Sequence, residues 1–391
     1  MDKILVITSI LPIAELEHKK NENDILLVTE NQLMSRDKSL KFEYLFFFPK
    51  ANIVLAQFSR KWKAYFKLGQ NETSLTQGKI IQLLPVLLLP KKVFFRNLLI
   101  QISLFRKRKV IKGIMETFQP TIIHAQCADT SAFIAKKISE KYKIPYVVTL
   151  RGINQFTDKK TVENIEAAAN IVAISPKQLI DAKELTNKKV HFIPHGIHDS
   201  FFQYTQRLRS ENEKLRLITV SRLIALKNID KVIKSLQNFK KDFVFDIFGE
   251  GPEKEALQKL IFDLGMEGKV NLKGKILNEK LPTLFNSYDL FVMPSYPETL
   301  GRVYFEAMGC GLPVIATKGT GIDGLISNGV QGFLVDVHDE KLFSESFNSI
   351  LQQLYNNQQL QTEMSKAAHE FARTFSWDEI VPKYLALYKN E

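Results

Sequence analysis

The chain of 391 residues has two cysteines, Cys127 and Cys310, far apart and without a nearby partner pattern. That scarcity argues against a disulfide framework or a zinc site and favours a reducing compartment. No window holds about 18 uncharged apolar residues, so a membrane-spanning helix is not expected. The first ten residues, MDKILVITSI, are apolar too briefly for a signal peptide and read as a first strand. Helix-turn-helix, zinc-finger and RNA-binding signatures are missing, which speaks against a nucleic-acid partner. There is no Asp-x-Asp pair, no short-period repeat and no low-complexity tract.

What is present is typical of a globular protein: 45% hydrophobic and 25% charged residues. The length suits two domains rather than one core. The net charge of +12 is unevenly placed. Residues 1–195 carry 31 Lys+Arg against 17 Asp+Glu, and the remainder 23 against 25. A basic first half points to an anionic surface or ligand.

Short apolar runs alternate with amphipathic segments of helical length, the pattern of a parallel sheet covered by helices on both faces. In the first half, strands are expected at 4–8, 25–29, 122–125, 146–150, 171–174 and 190–193, with a helix at 131–142. Ligands of such sheets sit at the carboxyl ends of strands, so 124–129 and 151–156 are candidate site loops. A boundary is expected near residue 197, followed by a polar helical stretch at 203–214. The second half repeats the pattern, with strands near Leu217, Val244, Val270, Leu290, Val314 and Phe333. Helices are expected at 229–239, 253–264 and 279–287, and three more helical segments from Asp339 onward. Two doubly wound α/β domains are the economical reading.

Residues 50–112 depart from this alternation. Arg60, Lys61, Lys63 and Lys67 interleave with Phe58, Trp62, Tyr65 and Phe66, and blocks of apolar and basic residues follow, broken by Pro85 and Pro90. Such a segment suits the interface of an anionic bilayer, or a helical pair packed on its own domain with the cations solvated.

The stretch PSYPETLGRVYFEAMGCGLPVIAT, residues 294–317, organises the second half. Thr299 is placed as a helix N-cap, residues 300–308 as the helix, Gly309 and Gly311 as its stop, and 312–316 as a buried strand. Seven helical residues turn through about 700°, which would set Glu306 on nearly the same face as Thr299, roughly 10 Å further along. A free helix N-terminus flanked by Glu298 and Glu306 is suited to a phosphate between two polyol groups. Taken alone, the stretch is equally readable as a surface loop and an ordinary amphipathic helix. Arg222 and Lys227, in the loop after the strand near Leu217, supply two cations suited to a diphosphate leaving group. Gly249-Glu250-Gly251-Pro252 permits a tight turn and close backbone approach before a helix. Gly274 and Lys275 form a turn after another strand.

In this order, SRL…LKN, GEGPE, NLKGKI, LFVMPSYPETLGRVYFEAMGCGLPVIAT and NGVQGFLV resemble retaining glycosyltransferase family 4, whose fold is the two-domain GT-B architecture. The ending FSWDEIVPKYLALY is similar as well, and IIHAQ, IPYVVTLRG and IPHGI extend a weaker likeness to the first half. The resemblance implies an acceptor-binding domain at 1–197, a nucleotide-sugar domain at 198–374, and a C-terminal helix at 375–391 that crosses back, so that Trp377 to Tyr388 pack on the first domain. It implies that Arg222 and Lys227 bind the donor diphosphate, Glu298 the transferred sugar, and the backbone of Thr299, Leu300 and Gly301 the phosphates. By the same resemblance Glu306 binds the ribose, Gly249 belongs to the donor site, and Gly274, Lys275 and Ile276 hold the base. The donor is a nucleotide sugar, most simply a UDP-sugar, with no separate cofactor and no metal. The acceptor is expected to be a glycan, lipid-linked and held at an anionic membrane surface, in cell-surface polysaccharide assembly. Location is expected to be cytoplasmic, peripheral on the inner face of the cell membrane.

Four departures concern the acceptor side. The loop SILPIAELEHKK has no glycine, where many relatives carry Gly-Gly. Gln126 stands where many have the second histidine of His-x-His, leaving His124 as either a site residue or a core histidine. GTGIDGL replaces the usual Gly-Gly-x-Pro-Glu, and Arg151 stands where relatives often have histidine. The same fold leaves open a nucleotide-sugar epimerase or hydrolase, and Gln126 with the absent glycine loop leaves open a non-catalytic carbohydrate-binding homologue.

Overall fold

A computed structural model describes residues 2–13, 16, 25–58, 60–87, 96–152, 156, 158–204, 209–210 and 213–389. The chain divides into two compact units. The first comprises Met1–Ile174, Leu179–Ile193 and Val381–Glu391; the second, Ser175–Gln178 and Pro194–Ile380.

The first unit is built on strands β1 (Lys3–Thr8), β2 (Lys41–Pro49), β3 (Thr73–Thr76), β4 (Lys79–Val86), β5 (Ile122–Ala125), β6 (Tyr146–Leu150), β7 (Asn170–Ala173) and β8 (Val190–Phe192). They form one sheet in the order β3-β4-β2-β1-β5-β6-β7-β8, parallel except for the β3–β4 hairpin. The inner strands are continuous runs of buried aliphatic residues, such as Ile4, Leu5, Val6 and Ile7, because helices cover both faces.

Several elements here differ from the sequence-based expectation. Residues 25–29, expected as a strand, begin the helix Ile25–Arg36, which buries Ile25, Leu26, Leu27, Glu30 and Leu33 on one side. A short apolar run has no period by which strand and helix can be told apart; the polar continuation TENQLMSR supports the helix. β2, β3 and β4 were not expected. Most of the supposed helical pair at 50–112 is instead the helices Ile53–Phe58, Arg60–Leu68, Arg96–Arg106 and Arg108–Thr117, with β3 and β4 between them. Pro85 lies within β4, opposite Phe48 of β2. In the helix Arg60–Leu68, Lys61, Lys63 and Lys67 are exposed while Tyr65 is buried and stacks on Phe48 at 6.0 Å. The side chain of Phe58, Pro90 and most of the loop after β1 lie outside the described residues.

The second unit contains β9 (Leu215–Val220), β10 (Phe243–Phe248), β11 (Val270–Gly274), β12 (Leu290–Val292), β13 (Val314–Thr317) and β14 (Gly332–Val335). Its sheet is wholly parallel, in the order β11-β10-β9-β12-β13-β14. Order reverses on either side of β9, so the loops after β9 and β12 emerge side by side, the usual place for a ligand in an open α/β sheet. One face packs Leu217, Phe245 and Ile247 against Ile233, Phe343 and Phe347. The other packs Ile218 and Phe291 against Phe285, Tyr304 and Phe305. Between 203 and 214 the described residues are not helical.

The helix Trp377–Lys389 belongs to both units. Trp377 was expected on the first domain; it packs instead within the second unit, where a Cβ on Gly196 would meet its indole at 2.5 Å. From Val381 onward the helix is part of the first unit, and the Tyr384 and Tyr388 rings lie 6.4 and 5.7 Å from that of His124.

Candidate active site

The site grows from loops at the carboxyl ends of β9, β10 and β12, all in the second unit. Backbone hydrogen bonds join the first two: Ser221 N to Phe248 O and Leu223 N to Glu250 O, each 3.0 Å. Gly249 permits that approach, since a Cβ there would lie 1.8 Å from the Ser221 carbonyl oxygen. Gly249 N also donates to Gly274 O at 2.8 Å, bringing in the end of β11. Gly274 turns the chain, and Lys275 is exposed while Ile276 packs partly onto the core.

After β9 the chain makes a short 3-10 turn, Ala225–Lys227, strapped to the loop after β12. Tyr296 N donates to Leu226 O at 2.8 Å, and Asn228 Nδ2 to Pro294 O at 2.7 Å. The strap carries Lys227 to Glu298: Nζ lies 2.7 Å from Oε2 and 3.3 Å from Ser295 Oγ. Ser295 Oγ donates to the same Oε2 at 3.2 Å, and Thr299 N donates to Oε1 at 3.1 Å. Both Lys227 and Glu298 side chains are about one-sixth exposed, at 17% each. The Arg222 side chain is exposed and has no partner among the described residues.

The helix after this loop starts later than its composition implied. Gly301, not Thr299, is the N-cap, with φ 74, and the helix is Arg302–Gly309. A side chain at Gly301 would be both strained and 2.4 Å from the Tyr304 ring. Glu306 therefore lies one turn into the helix and shares its face with Arg302, rather than standing two turns below Thr299. Arg302 Nε donates to Glu306 Oε1 at 2.8 Å. Glu306 is buried, and that burial raises its pKa above the ordinary carboxylate value while Arg302 opposes the shift. Leu300 is buried beneath the loop.

A contributor that motif reading missed is Gly321, in the loop after β13. Its N donates to Glu298 O at 3.0 Å, and a Cβ there would fall 1.5 Å from Thr299 O. The departure from the usual glycine pair thus still leaves a glycine where two loops press together. The neighbouring Asp323 accepts from Gly319 N at 2.7 Å and holds its own loop.

His124 is in the first unit and is not an open site group. It is 1% exposed, with Nδ1 2.8 Å from Tyr388 Oη and Nε2 2.7 Å from Thr149 Oγ1. Burial, with Arg151 nearby, pushes its pKa down to about 3. The role anticipated for it on substrate is corrected accordingly: both nitrogens are spent inside the protein, and the ring is neutral. Gln126 is buried and accepts from Arg151 Nε at 2.9 Å. Residues 153–155 of the adjoining candidate loop lie outside the described residues. Among the described residues, no group of three or more His, Cys, Asp and Glu is arranged to hold a metal ion.

Known proteins similar to this chain are glycosyltransferases and related synthases. Residues 200–371 match the family model described as glycosyl transferases group 1. A D-inositol 3-phosphate glycosyltransferase of Paenarthrobacter aurescens is 28% identical over 245 residues, 58% of this chain and 58% of the relative. The chain thus spans little more than half the length of that relative. An N-acetyl-alpha-D-glucosaminyl L-malate synthase of Bacillus anthracis is 29% identical over 68% of this chain and 72% of its own. A crystal structure of the Anabaena protein HepE in complex with UDP-glucose superposes with a TM-score of 0.68 at 19% identity, covering 100% of both chains. The fold, two Rossmann-like α/β domains, is that of GT-B glycosyltransferases.

Proposed function

We propose that the chain is a retaining glycosyltransferase that moves a hexose or N-acetylhexosamine from a UDP-sugar to a glycan acceptor, lipid-linked and presented at a membrane surface during cell-surface polysaccharide assembly. The observation that carries the donor half is the 2.7 Å contact between Lys227 and Glu298 in front of the helix Arg302–Gly309. A cation suited to phosphate and a carboxylate suited to sugar hydroxyls meet where the sugar–phosphate bond of a nucleotide sugar would lie. Glu306, one turn into the helix, is then the acceptor for the ribose diol, and the base lies toward Gly274, Lys275 and Ile276. The named activities of the matched relatives support transfer rather than epimerisation, hydrolysis or binding alone.

In this reading the bond from the anomeric carbon to the diphosphate oxygen breaks on the face where the acceptor hydroxyl attacks. The new bond forms from that hydroxyl oxygen to the anomeric carbon, and its proton passes to the departing phosphate. With no Asp-x-Asp pair in the sequence, Arg222, Lys227 and the helix N-terminus balance the growing negative charge, and no metal is invoked. Pre-organised donors aimed at developing charge are each worth about 10²–10³ in rate.

Purified protein is to be incubated with a panel of nucleotide sugars, with and without membrane extract. Transfer that requires extract is the expected result. Epimerised or hydrolysed sugar without acceptor would favour the enzyme of other class, and binding without turnover the non-catalytic one. Arg222→Ala and Lys227→Ala should each lower transfer by about 10²–10³ while circular dichroism is unchanged. Near-normal turnover in both would remove the diphosphate assignment.

A further inference from the structure

The helices Arg96–Arg106, Arg108–Thr117 and Thr130–Tyr142 line a cavity of about 290 Å³ in the first unit. It shares no residue with the donor site. Its inner wall is apolar, running from the buried Ile111 and Ile138 past Leu104 and Tyr142 to Phe105, which is 67% exposed. Its remaining charged lining is entirely cationic: Arg108, Lys137 and Lys141. The Arg108 guanidinium sits 4.4 Å from the Phe105 ring centroid and the Lys141 ammonium 5.2 Å from that of Tyr142, so the cations border the apolar wall directly. Lys137 is paired with Glu140 at 2.7 Å on the exposed side of its helix. Arg106 and Lys109 add charge of the same sign on the adjoining helices, while Lys112 is paired with Glu116 at 3.3 Å.

The two halves of this lining select one chemistry. A free phosphate would satisfy the cations and leave the apolar wall wet. A neutral alkyl group would fill the wall and leave Arg108 and Lys141 without a counter-charge among the described residues, since Lys137 alone is paired, with Glu140. An acidic peptide matches the charge but not an apolar recess that ends on buried Ile111 and Ile138. We propose that the groove binds one alkyl chain of an anionic membrane amphiphile, the chain against Ile111 and Ile138 and the head group among Arg108, Lys137 and Lys141. Among the described residues no helix is long and apolar enough to cross a membrane, so such contacts would hold the protein at a bilayer surface. The proposal is independent of the donor-site reading, since UDP binding and amphiphile binding are measured separately.

The probe is dodecyl phosphate below its micelle concentration, titrated calorimetrically into the whole chain beside inorganic phosphate and an acidic peptide. Saturable binding of one dodecyl phosphate is expected, with inorganic phosphate unable to compete. Two double variants dissect it: Leu104→Ser with Phe105→Ser keeps the cations, and Arg108→Ser with Lys141→Ser keeps the wall. Each should weaken dodecyl phosphate, and adsorption to phosphatidylglycerol vesicles, by about tenfold or more with UDP affinity unchanged. Weakening by the charge pair alone would mean diffuse surface attraction and overturn the proposal, as would a peptide binding equally well. A measurement on the unaltered protein stands beside these. A nitroxide on the dodecyl tail should broaden the methyl signals of Ile111 and Ile138, and unbroadened signals would also refute the groove.

Discussion

At the residue scale, Glu306 is the group whose setting is most informative. A buried carboxylate is costly unless paired, and Arg302 supplies the pairing at 2.8 Å along the same helix. An ionised Glu306 offers two acceptor oxygens to a vicinal diol; protonation removes that capacity. Because burial raises its pKa, UDP affinity should begin to fall at a higher pH than an exposed glutamate would dictate. Arg302→Met removes the opposing cation, so the loss should start at still higher pH, and Glu306→Ala should weaken UDP roughly tenfold. Calorimetric titration with UDP from pH 8 downward checks this; coincident profiles for wild type and Arg302→Met would show that the pair does not tune the carboxylate. Glu298 differs in kind: its oxygens are already held by Lys227, Ser295 and Thr299, so its position is set before any ligand arrives.

At the scale of elements, the loop that carries Glu298 is shaped by close backbone approach. Its composition marked a helix from Leu300, yet the helix waits until Arg302 because Gly301 takes up a left-handed turn packed on Tyr304. Propensity could not reveal this, since the loop after β13 packs against Glu298 to Leu300 from a remote part of the chain. Gly321→Ala makes the contact measurable: its Cβ would need the Thr299 carbonyl to move. We expect a stability loss of about 1–3 kcal/mol, as for other overpacked sites, together with weaker donor turnover. Wild-type thermal midpoint and rate in this variant would mean that the loop yields freely. A similar limit governed residues 25–29, where five apolar-leaning positions fitted either period and the neighbouring helix length settled the matter.

At the scale of the whole molecule, the C-terminal helix closes the first unit over His124. The folded pKa of about 3 lies below the free value of 6.5, so the neutral ring contributes stability that is complete above pH 6.5. That contribution is lost progressively as pH falls from 6.5 toward 3, because the unfolded chain takes up the proton first. At pH 5 the loss should be about 2 kcal/mol. His124→Gln should flatten this part of the profile, as read from urea midpoints at pH 7 and pH 5. Equal slopes in the two proteins would assign the acid sensitivity elsewhere. The ring bonded to Tyr388 and Thr149 is thus a fastening for the helix rather than a reagent.

The doubly wound class is legible in the order of residues alone, since buried parallel strands and amphipathic helices write their periods locally. So are the identities and order of Arg222, Lys227, Glu298 and Glu306, because each stands just past or just inside an element that its neighbours specify. Tertiary structure alone decided which of these side chains meet. The Lys227–Glu298 contact joins residues 71 apart through two hydrogen bonds between loops, and no local pattern encodes that distance. It decided, too, that His124 turns inward and that Gly321 packs against the loop that carries Glu298. Both depend on atoms brought from remote parts of the chain, where packing space and desolvation, rather than spacing, determine what a residue does.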